Sequence, residues 1–533
     1  MEKHIFYNGR IFTLDATLSR AEAVLVEDGR VAAVGTTEEI LLQGGRADVP
    51  RTDLEGAYVY PGLTDSHLHL MGHGMKLSML DLSKVRSKEE LLRAVRERAA
   101  KTPAEKWVLG MNWDENRFSV PEPPTREELD RISPERPVML TRICHHVQAV
   151  NSAALRAAGL SRNTPDPSDG KYGRDERGDL NGLVYENASK PLFDAIPNRS
   201  PAERMEFARL GARDALAKGL TGVHTEDLRS AESVDALLRI YRGLREEGIF
   251  LRTHHLVYHP FLREYREAGL KPGEGDRWVR FGAVKLFADG SFGGRTALLS
   301  RPYADDPSTR GFAVHTQERL EAIVREAREA RMPVAVHAIG DQAAEMVIRA
   351  LEKHPLTKGE AFFRDRLIHA QVLREDLLER MERLPLAVDI QPRFVAGDFP
   401  WVADRLPEAL LPTSYAWKTL IRRGVPAGGG SDAPIEPVDP LLGMHAAVTR
   451  HAPGEEHGGY GPEQKLTPSE ALRLFTLGSA FAAGEEAERG TVTPGKYADL
   501  SIFDRDLLSG DPDDFLKART LFTVVNGRTA YRA

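Results

Sequence analysis

Short apolar runs alternate with amphipathic stretches over most of the chain. Between residues 59 and 488, runs such as MPVAVHAIG precede stretches such as DQAAEMVIRALEKH, whose apolar positions recur every three to four residues. This alternation is typical of parallel α/β folds, and eight strands close a TIM barrel. The eight strand candidates are 57–67, 219–226, 250–259, 280–289, 332–340, 365–371, 386–392 and 424–434. We therefore predict an α/β protein with a TIM (β/α)8 barrel over 59–488.

The two ends of the chain show a different pattern, in which β-branched runs are broken by turn dipeptides. HIFYNGRIFTLD and AEAVLVEDGRVAAVG near the start contain Asn-Gly and Asp-Gly, which are strong hairpin signals. GTVTPGKYADLSIFDRD and LFTVVNGRTAYRA repeat the pattern near the end. We predict that residues 1–58 and 489–533 form one composite β-sandwich.

A long segment separates the first and second strand candidates. It has about 150 residues, far more than the connection of one βα unit needs. We interpret residues 70–218 as a large insertion after strand 1. Because connections after barrel strands lie at the C-terminal mouth, we expect it to lie over this mouth and to influence substrate choice.

Composition narrows the classes of function. The 533 residues carry a net charge of -7 with both signs interspersed, so no basic surface for nucleic acid is expected. A single cysteine, Cys144, excludes an intrachain disulfide and a multi-thiolate metal site, and suits a reducing cytoplasm. The start, MEKHIFYNGR, lacks an apolar signal segment, and no long apolar run follows. We expect a cytoplasmic protein without a nucleic-acid or membrane partner.

Polar residues interrupt the predicted strands near their C-terminal ends. His67 and His69 end the first strand, His337 and His369 lie in the fifth and sixth, and Asp432 lies in the eighth. Residues i and i+2 of a strand share a face, so His67 and His69 can hold one cation together. Burying such groups without partners costs roughly 1 to 3 kcal/mol each. The set therefore predicts a metal site.

Lys285, in the fourth predicted strand, does not fit a simple ligand set because an ammonium group repels a cation. In one interpretation it pairs with an acid such as Asp289. In the other, burial and nearby cations lower its pKa, and the free amine reacts with carbon dioxide to give a carbamate that bridges two metals. The residue types alone leave both interpretations open.

Several motifs resemble the amidohydrolase superfamily, and within it the family 3 branch of N-substituted formamide deformylase-like enzymes. They are PGLTDSHLHL, GAVKLFADGS, VHAIGDQA, RLIHAQ, GGGSDAPIEP and GTVTPGKYADLSIFD. The resemblance spans essentially the whole chain and implies a barrel with a composite sandwich, a metal centre and hydrolysis of amide or related bonds. It implies that one metal is held by His67, His69 and Asp432 and the other by His337 and His369, with Lys285 bridging them as a carbamate.

Two further segments of the predicted insertion are similar to the same family. RICHHVQAVNSAAL and GLVYENA place His146 and Glu186 at matching positions. We predict that His146, Glu186 and Asp289 bind substrate, and that His146 also stabilises the developing oxyanion. The alternative is that His146 is a surface or packing histidine without a role in catalysis.

The resemblance also implies a mechanism. Two divalent ions, zinc by default for these ligands, would activate a hydroxide, and Asp432 would pass its proton to the leaving nitrogen. We predict hydrolysis of a non-peptide carbon–nitrogen bond in a small N-acyl or N-formyl substrate. The alternatives are a lactone, ester or phosphoester hydrolase with the same metal centre, and a non-catalytic barrel scaffold. The expected partner is a small-molecule substrate, with a homodimer left open.

Overall fold

The computed structural model describes residues 2–44, 49–144, 146–271, 273–356 and 364–533. The chain divides into two compact units. The larger unit consists of Met1–His73 and Ala208–Ala533, and the smaller unit is Gly74–Phe207.

The larger unit contains an eight-stranded sheet in which all paired neighbours are parallel. We number its strands β1 to β8: Leu63–Leu68, Leu220–Thr225, Arg252–Tyr258, Val279–Phe287, Val334–Ala338, Asp365–His369, Leu386–Ile390 and Ala427–Gly429. Spatial order follows chain order. Backbone hydrogen bonds of 2.8 Å from Asp432 N to His67 O and from His69 N to Ala433 O join the two edges. This nearly closed barrel confirms the predicted fold class.

The helices around the barrel follow from the amphipathic pattern. Thr316 caps the helix Gln317–Glu329, whose buried residues include Leu320, Ile323 and Val324 on one face. The helices of the larger unit are Thr37–Gly44, Leu228–Ala231, Val234–Glu246, Leu262–Glu267, Gln317–Glu329, Asp341–Lys353, Glu375–Met381, Phe394–Asp398, Trp401–Arg405, Trp417–Arg422, Pro440–Thr449, Pro468–Arg473, Ser479–Ala482 and Asp513–Lys517. The helices Leu70–Ser78 and Pro201–Ala217 each contain a boundary between the units.

Strands from both ends of the chain form two further sheets in the larger unit. The four-stranded sheet has the order Arg30–Gly35, Ala23–Glu27, Lys3–Tyr7, Arg51–Asp53. The six-stranded sheet has the order Arg528–Arg532, Thr520–Val525, Leu500–Phe503, Tyr58–Pro61, Arg10–Phe12, Arg20–Ala21. One apolar core joins the two sheets and includes Phe6, Val24, Val59, Leu500 and Val524. The composite sandwich expected from the terminal hairpin signals is therefore present.

The first strand candidate, 57–67, divides into two strands at Gly62. Tyr58–Pro61 belongs to the sandwich and Leu63–Leu68 to the barrel. A Cβ atom at position 62 would lie 2.3 Å from Oγ1 of Thr221 and 2.7 Å from Cβ of Asp499, so only glycine fits this close approach.

The smaller unit has its own sheet and core. The strand order is Gly170–Arg174, Leu180–Glu186, Val147–Val150, Val138–Arg142, Val108–Trp113, Leu80–Asp81. Its helices are Lys88–Lys101, Arg126–Ile132, Ser152–Ala157 and Lys190–Asp194. Leu91, Val95, Val108 and Leu140 are among the fully buried residues of one core cluster.

No helix within the described ranges is both long enough and apolar enough to cross a bilayer.

Candidate metal centre

Three of the predicted ligands meet where β1 ends and the chain leaves β8. Nε2 of His67 and Nε2 of His69 each lie 3.5 Å from Oδ1 of Asp432. The ligand atoms of the three side chains all lie within 4.8 Å of one another. Two imidazoles and a carboxylate form a ligand set suited to a divalent transition metal. In the part of the chain that the structure describes, this is the one group of three or more His, Cys, Asp and Glu residues with that geometry.

The backbone holds two of the predicted ligands in an unusual conformation. Asp432 has φ +55° and His369 has φ +78°, in the left-handed region that favours glycine. Asp65 supports the Asp432 loop, because its carboxylate accepts the backbone N–H groups of His67 and Ser431, both at 3.0 Å. Non-glycine residues persist in this region only where the surrounding structure fixes them, as it often does at functional sites.

The electrostatics of Asp432 and His67 favour metal-binding protonation states. For His69, burial would lower the pKa, but the contact with Asp432 outweighs it and raises the pKa while no cation is bound. Burial would raise the pKa of Asp432, but the contact with His69 and nearby positive charges outweigh it and lower the pKa. Burial lowers the pKa of His67 well below its ordinary value. An ionised carboxylate and a neutral imidazole are the forms that bind a metal.

His337 and His369 face each other at the ends of β5 and β6. Nδ1 of His337 lies 2.9 Å from Nε2 of His369. Nε2 of His337 lies 2.9 Å from the carbonyl oxygen of Gly290, and Nδ1 of His369 lies 2.7 Å from Oε1 of Gln391. Each outer nitrogen therefore carries the proton and donates it to an oxygen, which leaves the two facing nitrogens with lone pairs.

Two facing lone pairs repel each other unless a cation lies beside them. Burial lowers the pKa of His369 to about 4 and that of His337 well below its ordinary value, so both rings are neutral at pH 7. The two facing nitrogens are therefore available to a ligand, and a second cation held by them stays a prediction of the family resemblance.

Lys285 is fully buried and lacks the ion pair considered above. Its side chain has no exposed surface, and its Nζ has no hydrogen-bond partner among the described residues. Burial lowers its pKa to about 7. Asp289 is engaged elsewhere, since its carboxylate accepts the backbone N–H groups of Leu298, Ile339 and Gly340 at 2.9, 3.1 and 2.8 Å. The Lys285–Asp289 pair does not form in this structure, and substrate binding by Asp289 stays a prediction.

His146 and Glu186 meet in the smaller unit. Nδ1 of His146 lies 2.7 Å from Oε2 of Glu186, and each side chain is 57% exposed. Nδ1 of His146 donates to this carboxylate, and the contact fixes the orientation of the ring. This exposure excludes a packing role for His146 and agrees with a surface histidine, while its contact with substrate stays a prediction.

Sequence reasoning missed the residues that orient the ligands. Gln391 fixes the tautomer of His369, and the carbonyl oxygen of Glu226 lies 3.1 Å from Nδ1 of His69, which fixes the tautomer of that ring. The signal for Gln391 was present, because Asp389 and Gln391 are polar residues two apart in the otherwise apolar LAVDIQP.

The fold and this site together define a metal-dependent hydrolase with a TIM barrel. A family model described as "Amidohydrolase family" matches residues 52–531. The chain therefore belongs to the amidohydrolase family.

Individual relatives extend this likeness over the full length. The chain is 45% identical over 531 residues to the Bacillus subtilis (strain 168) protein named amidohydrolase YtcJ, with 99% of each chain covered. It is 28% identical over 557 residues to N-substituted formamide deformylase of Arthrobacter pascens, with 100% of this chain and 98% of the relative covered. An uncharacterized metal-dependent hydrolase from Pyrococcus furiosus has a TM-score of 0.78 at 32% identity, with 95% of this chain and 100% of that one covered. The family recognised from the motifs is confirmed.

Proposed function

We propose that this hydrolase cleaves a non-peptide carbon–nitrogen bond in a small N-acyl or N-formyl compound. The observation that carries the proposal is the convergence of His67, His69 and Asp432 on one point at the barrel mouth. Support for the bond type comes from the full-length similarity to a relative named N-substituted formamide deformylase.

We propose that the centre holds two divalent cations. His67, His69 and Asp432 would hold one, and the facing nitrogens of His337 and His369 would hold the other. Zinc suits these ligands, and such a cation lowers the pKa of water towards 7 and polarises a carbonyl oxygen.

We further propose that Lys285 is carboxylated on Nζ. The support is its complete burial without a hydrogen-bond partner in the described structure, since an unpaired buried amine is unfavourable. A carbamate would replace this amine with an anion that offsets the positive charge of the cations, and Lys285 would then act as a ligand to both.

The proposed reaction also needs proton transfer, oriented ligands and contacts with the substrate, which side chains and backbone groups of the chain would supply. Asp432 would accept the proton that water loses as it attacks the substrate carbonyl and would deliver it to the leaving nitrogen, so that the carbon–nitrogen bond breaks and a carboxylic acid and an amine form. The Glu226 carbonyl holds the ring of His69 in one tautomer, as Gln391 does for His369. His146 contacts substrate through Nε2, with Glu186 fixing the orientation of its ring.

We also propose a cytoplasmic location and a small-molecule substrate as the main partner. The support is compositional: one cysteine in 533 residues and no basic surface pattern.

A substrate panel tests the proposed bond type. Purified protein of measured metal content is assayed with N-formyl and N-acetyl amines, lactones, esters and phosphoesters. Asp432→Asn protein, purified in the same way, controls for contaminating hydrolases. We expect the highest kcat/KM within the amides. A higher value for a lactone, ester or phosphoester would favour the alternative hydrolase, and no turnover by metal-loaded protein would favour the scaffold.

A further inference from the structure

One partly exposed arginine follows β2 and has unused hydrogen-bond donors. Arg229 lies in the short helix Leu228–Ala231, and 45% of its side chain is exposed. Its Nε donates to Oε2 of Glu226 at 2.6 Å, and its backbone N–H donates to Oε1 of the same carboxylate at 3.2 Å. Across the described ranges, neither terminal nitrogen of the guanidinium has a hydrogen-bond partner. Both are therefore available to a ligand.

Two aromatic rings hold this guanidinium in place. Its Cζ lies 5.3 Å from the centre of the Tyr258 ring and 5.1 Å from that of the Phe287 ring. Tyr258 is the last residue of β3 and Phe287 is the last residue of β4. Cation–π contacts with two rings and the bond to Glu226 restrict the side chain, so little conformational entropy remains to be lost when a ligand binds.

The same residues connect Arg229 to the metal centre. Glu226, which binds the guanidinium through its side chain, accepts Nδ1–H of His69 through its backbone carbonyl at 3.1 Å. Phe287, which contacts the guanidinium, also lies 4.7 Å from Nζ of Lys285. Glu226 therefore contacts both Arg229 and the predicted ligand His69, and Phe287 contacts both Arg229 and Lys285.

We propose that Arg229 binds a carboxylate of the substrate and thereby determines specificity. This inference rests on the proposed function and narrows its substrate class to N-acyl or N-formyl compounds that carry a carboxylate a few bonds from the cleaved carbon–nitrogen bond. A guanidinium with free terminal nitrogens forms two parallel N–H···O bonds to a carboxylate. The side chain of Glu226 is completely buried and binds the guanidinium at Nε, so the two terminal nitrogens stay available to the ligand.

Matched acids and amides test the proposal. The acids are N-formylglycine, N-formyl-β-alanine and N-formyl-4-aminobutanoate, in which one, two and three carbons separate the formamide nitrogen from the carboxylate. Each acid is compared with its primary amide. Because hydrogen bonds to a charged group are stronger than neutral ones, at least one acid should exceed its amide in kcat/KM by roughly 10- to 100-fold. In Arg229→Gln this preference should disappear, because the acid loses its charged hydrogen bonds and the amide does not, and the ratio of the two kcat/KM values cancels any loss common to both substrates.

Arg229→Lys separates the hydrogen-bonding fork from the charge. Lysine keeps the cation but cannot form the bidentate contact, so we expect an intermediate preference. The amide kinetics and the melting temperature of each variant report whether loss of the partner of Glu226 disturbs the fold. Equal loss on acid and amide in a stably folded Arg229→Gln protein would overturn the proposal.

Calorimetry measures binding without turnover. The same acids and amides are titrated into metal-loaded Asp432→Asn protein, with and without Arg229→Gln. We expect the best acid to bind at least about tenfold more tightly than its amide, and only when Arg229 is present. If that difference appears while wild-type protein cleaves none of the compounds, the anion site stands and the proposed function fails. If amides are cleaved but no acid binds more tightly than its amide, the anion site is overturned and the function stands.

Discussion

The two ends of the barrel both bury charged residues, but they treat them differently. Towards the N-terminal end, Arg252 makes hydrogen bonds of 2.6 and 2.9 Å to the two carboxylate oxygens of Asp499. At the C-terminal mouth, the amine of Lys285 has no hydrogen-bond partner in the described residues, and two lone pairs of His337 and His369 face each other. Both residues are buried, with 4% of Arg252 and 0% of Lys285 exposed.

The difference separates structural charges from functional ones. A buried ion pair with complete hydrogen bonding is satisfied within the protein and needs nothing further. Buried polar atoms without a hydrogen-bond partner also occur elsewhere in the described residues, for example on Tyr265 and Trp417. At the mouth, however, the unpartnered amine of Lys285 occurs together with the converging ligand atoms of His67, His69 and Asp432, and this combination indicates a cation site. The mouth of the barrel is therefore where we place the cations, and the opposite end is where charges hold the barrel to the sandwich.

The largest expected effect follows replacement of Lys285. Lys285→Ala should remove the bridging carbamate, lower metal occupancy and abolish turnover. Acetate or propionate at high concentration should restore part of the activity, since a short carboxylate can occupy the vacated space and bridge the cations. Steady-state kinetics with and without the acid measure this.

Short amines provide the control for that experiment. Methylamine and ethylamine have similar size but the opposite charge, and should not restore activity to Lys285→Ala. Rescue by an amine and not by an acid would contradict the carbamate and leave a mononuclear centre on His67, His69 and Asp432.

Replacing the proton carrier should have a smaller but still large effect. Asp432→Asn is nearly isosteric, so the fold should persist while turnover falls at least about a hundredfold through loss of proton transfer. Circular dichroism and kinetics on the same sample check both statements, and its metal content separates loss of the proton carrier from loss of a cation, since Asp432 is also a proposed ligand. An unchanged rate would transfer the role of base to another residue, with His146 and Glu186 the next candidates.

At the opposite end of the barrel, substitution should affect stability and not chemistry. Arg252→Met leaves Asp499 buried without its partner and should lower the free energy of unfolding by about 3 to 5 kcal/mol. Urea unfolding measures this loss, while metal content should stay at the wild-type value.

A double variant is the matched control. Arg252→Met combined with Asp499→Leu removes both charges and should regain most of the stability, because no unpaired charge remains. Loss of metal from folded Arg252→Met protein would contradict the claim that the Arg252–Asp499 pair affects stability and not the metal centre.

Much of the fold could be predicted from the sequence because its signals are local. The alternation of apolar runs and amphipathic stretches is visible within windows of about 15 residues, and it gave the eight strands. The ligands could be found because His67, His69 and Asp432 occur where apolar strands end. The division of the first strand candidate at Gly62 could not be foreseen, since it depends on the approach of Thr221 and Asp499 from distant parts of the chain.

The contacts that orient the site were also beyond the sequence. The ring of His69 meets the carbonyl of Glu226 across 157 positions of sequence. The contacts of Arg229 with Tyr258 and Phe287 depend on where β2, β3 and β4 end relative to one another in the barrel. Such contacts depend on the register of the assembled barrel, which residue patterns do not specify.

Metal analysis of the native protein tests the central claim most directly. Protein purified without chelator should contain close to two divalent cations per chain by plasma mass spectrometry, one for each group of ligands at the mouth. His67→Ala and His337→Ala should each reduce the content to one or fewer, whereas Arg252→Met should not change it. A wild-type content near zero would contradict the metal centre and, with it, the proposed hydrolytic function.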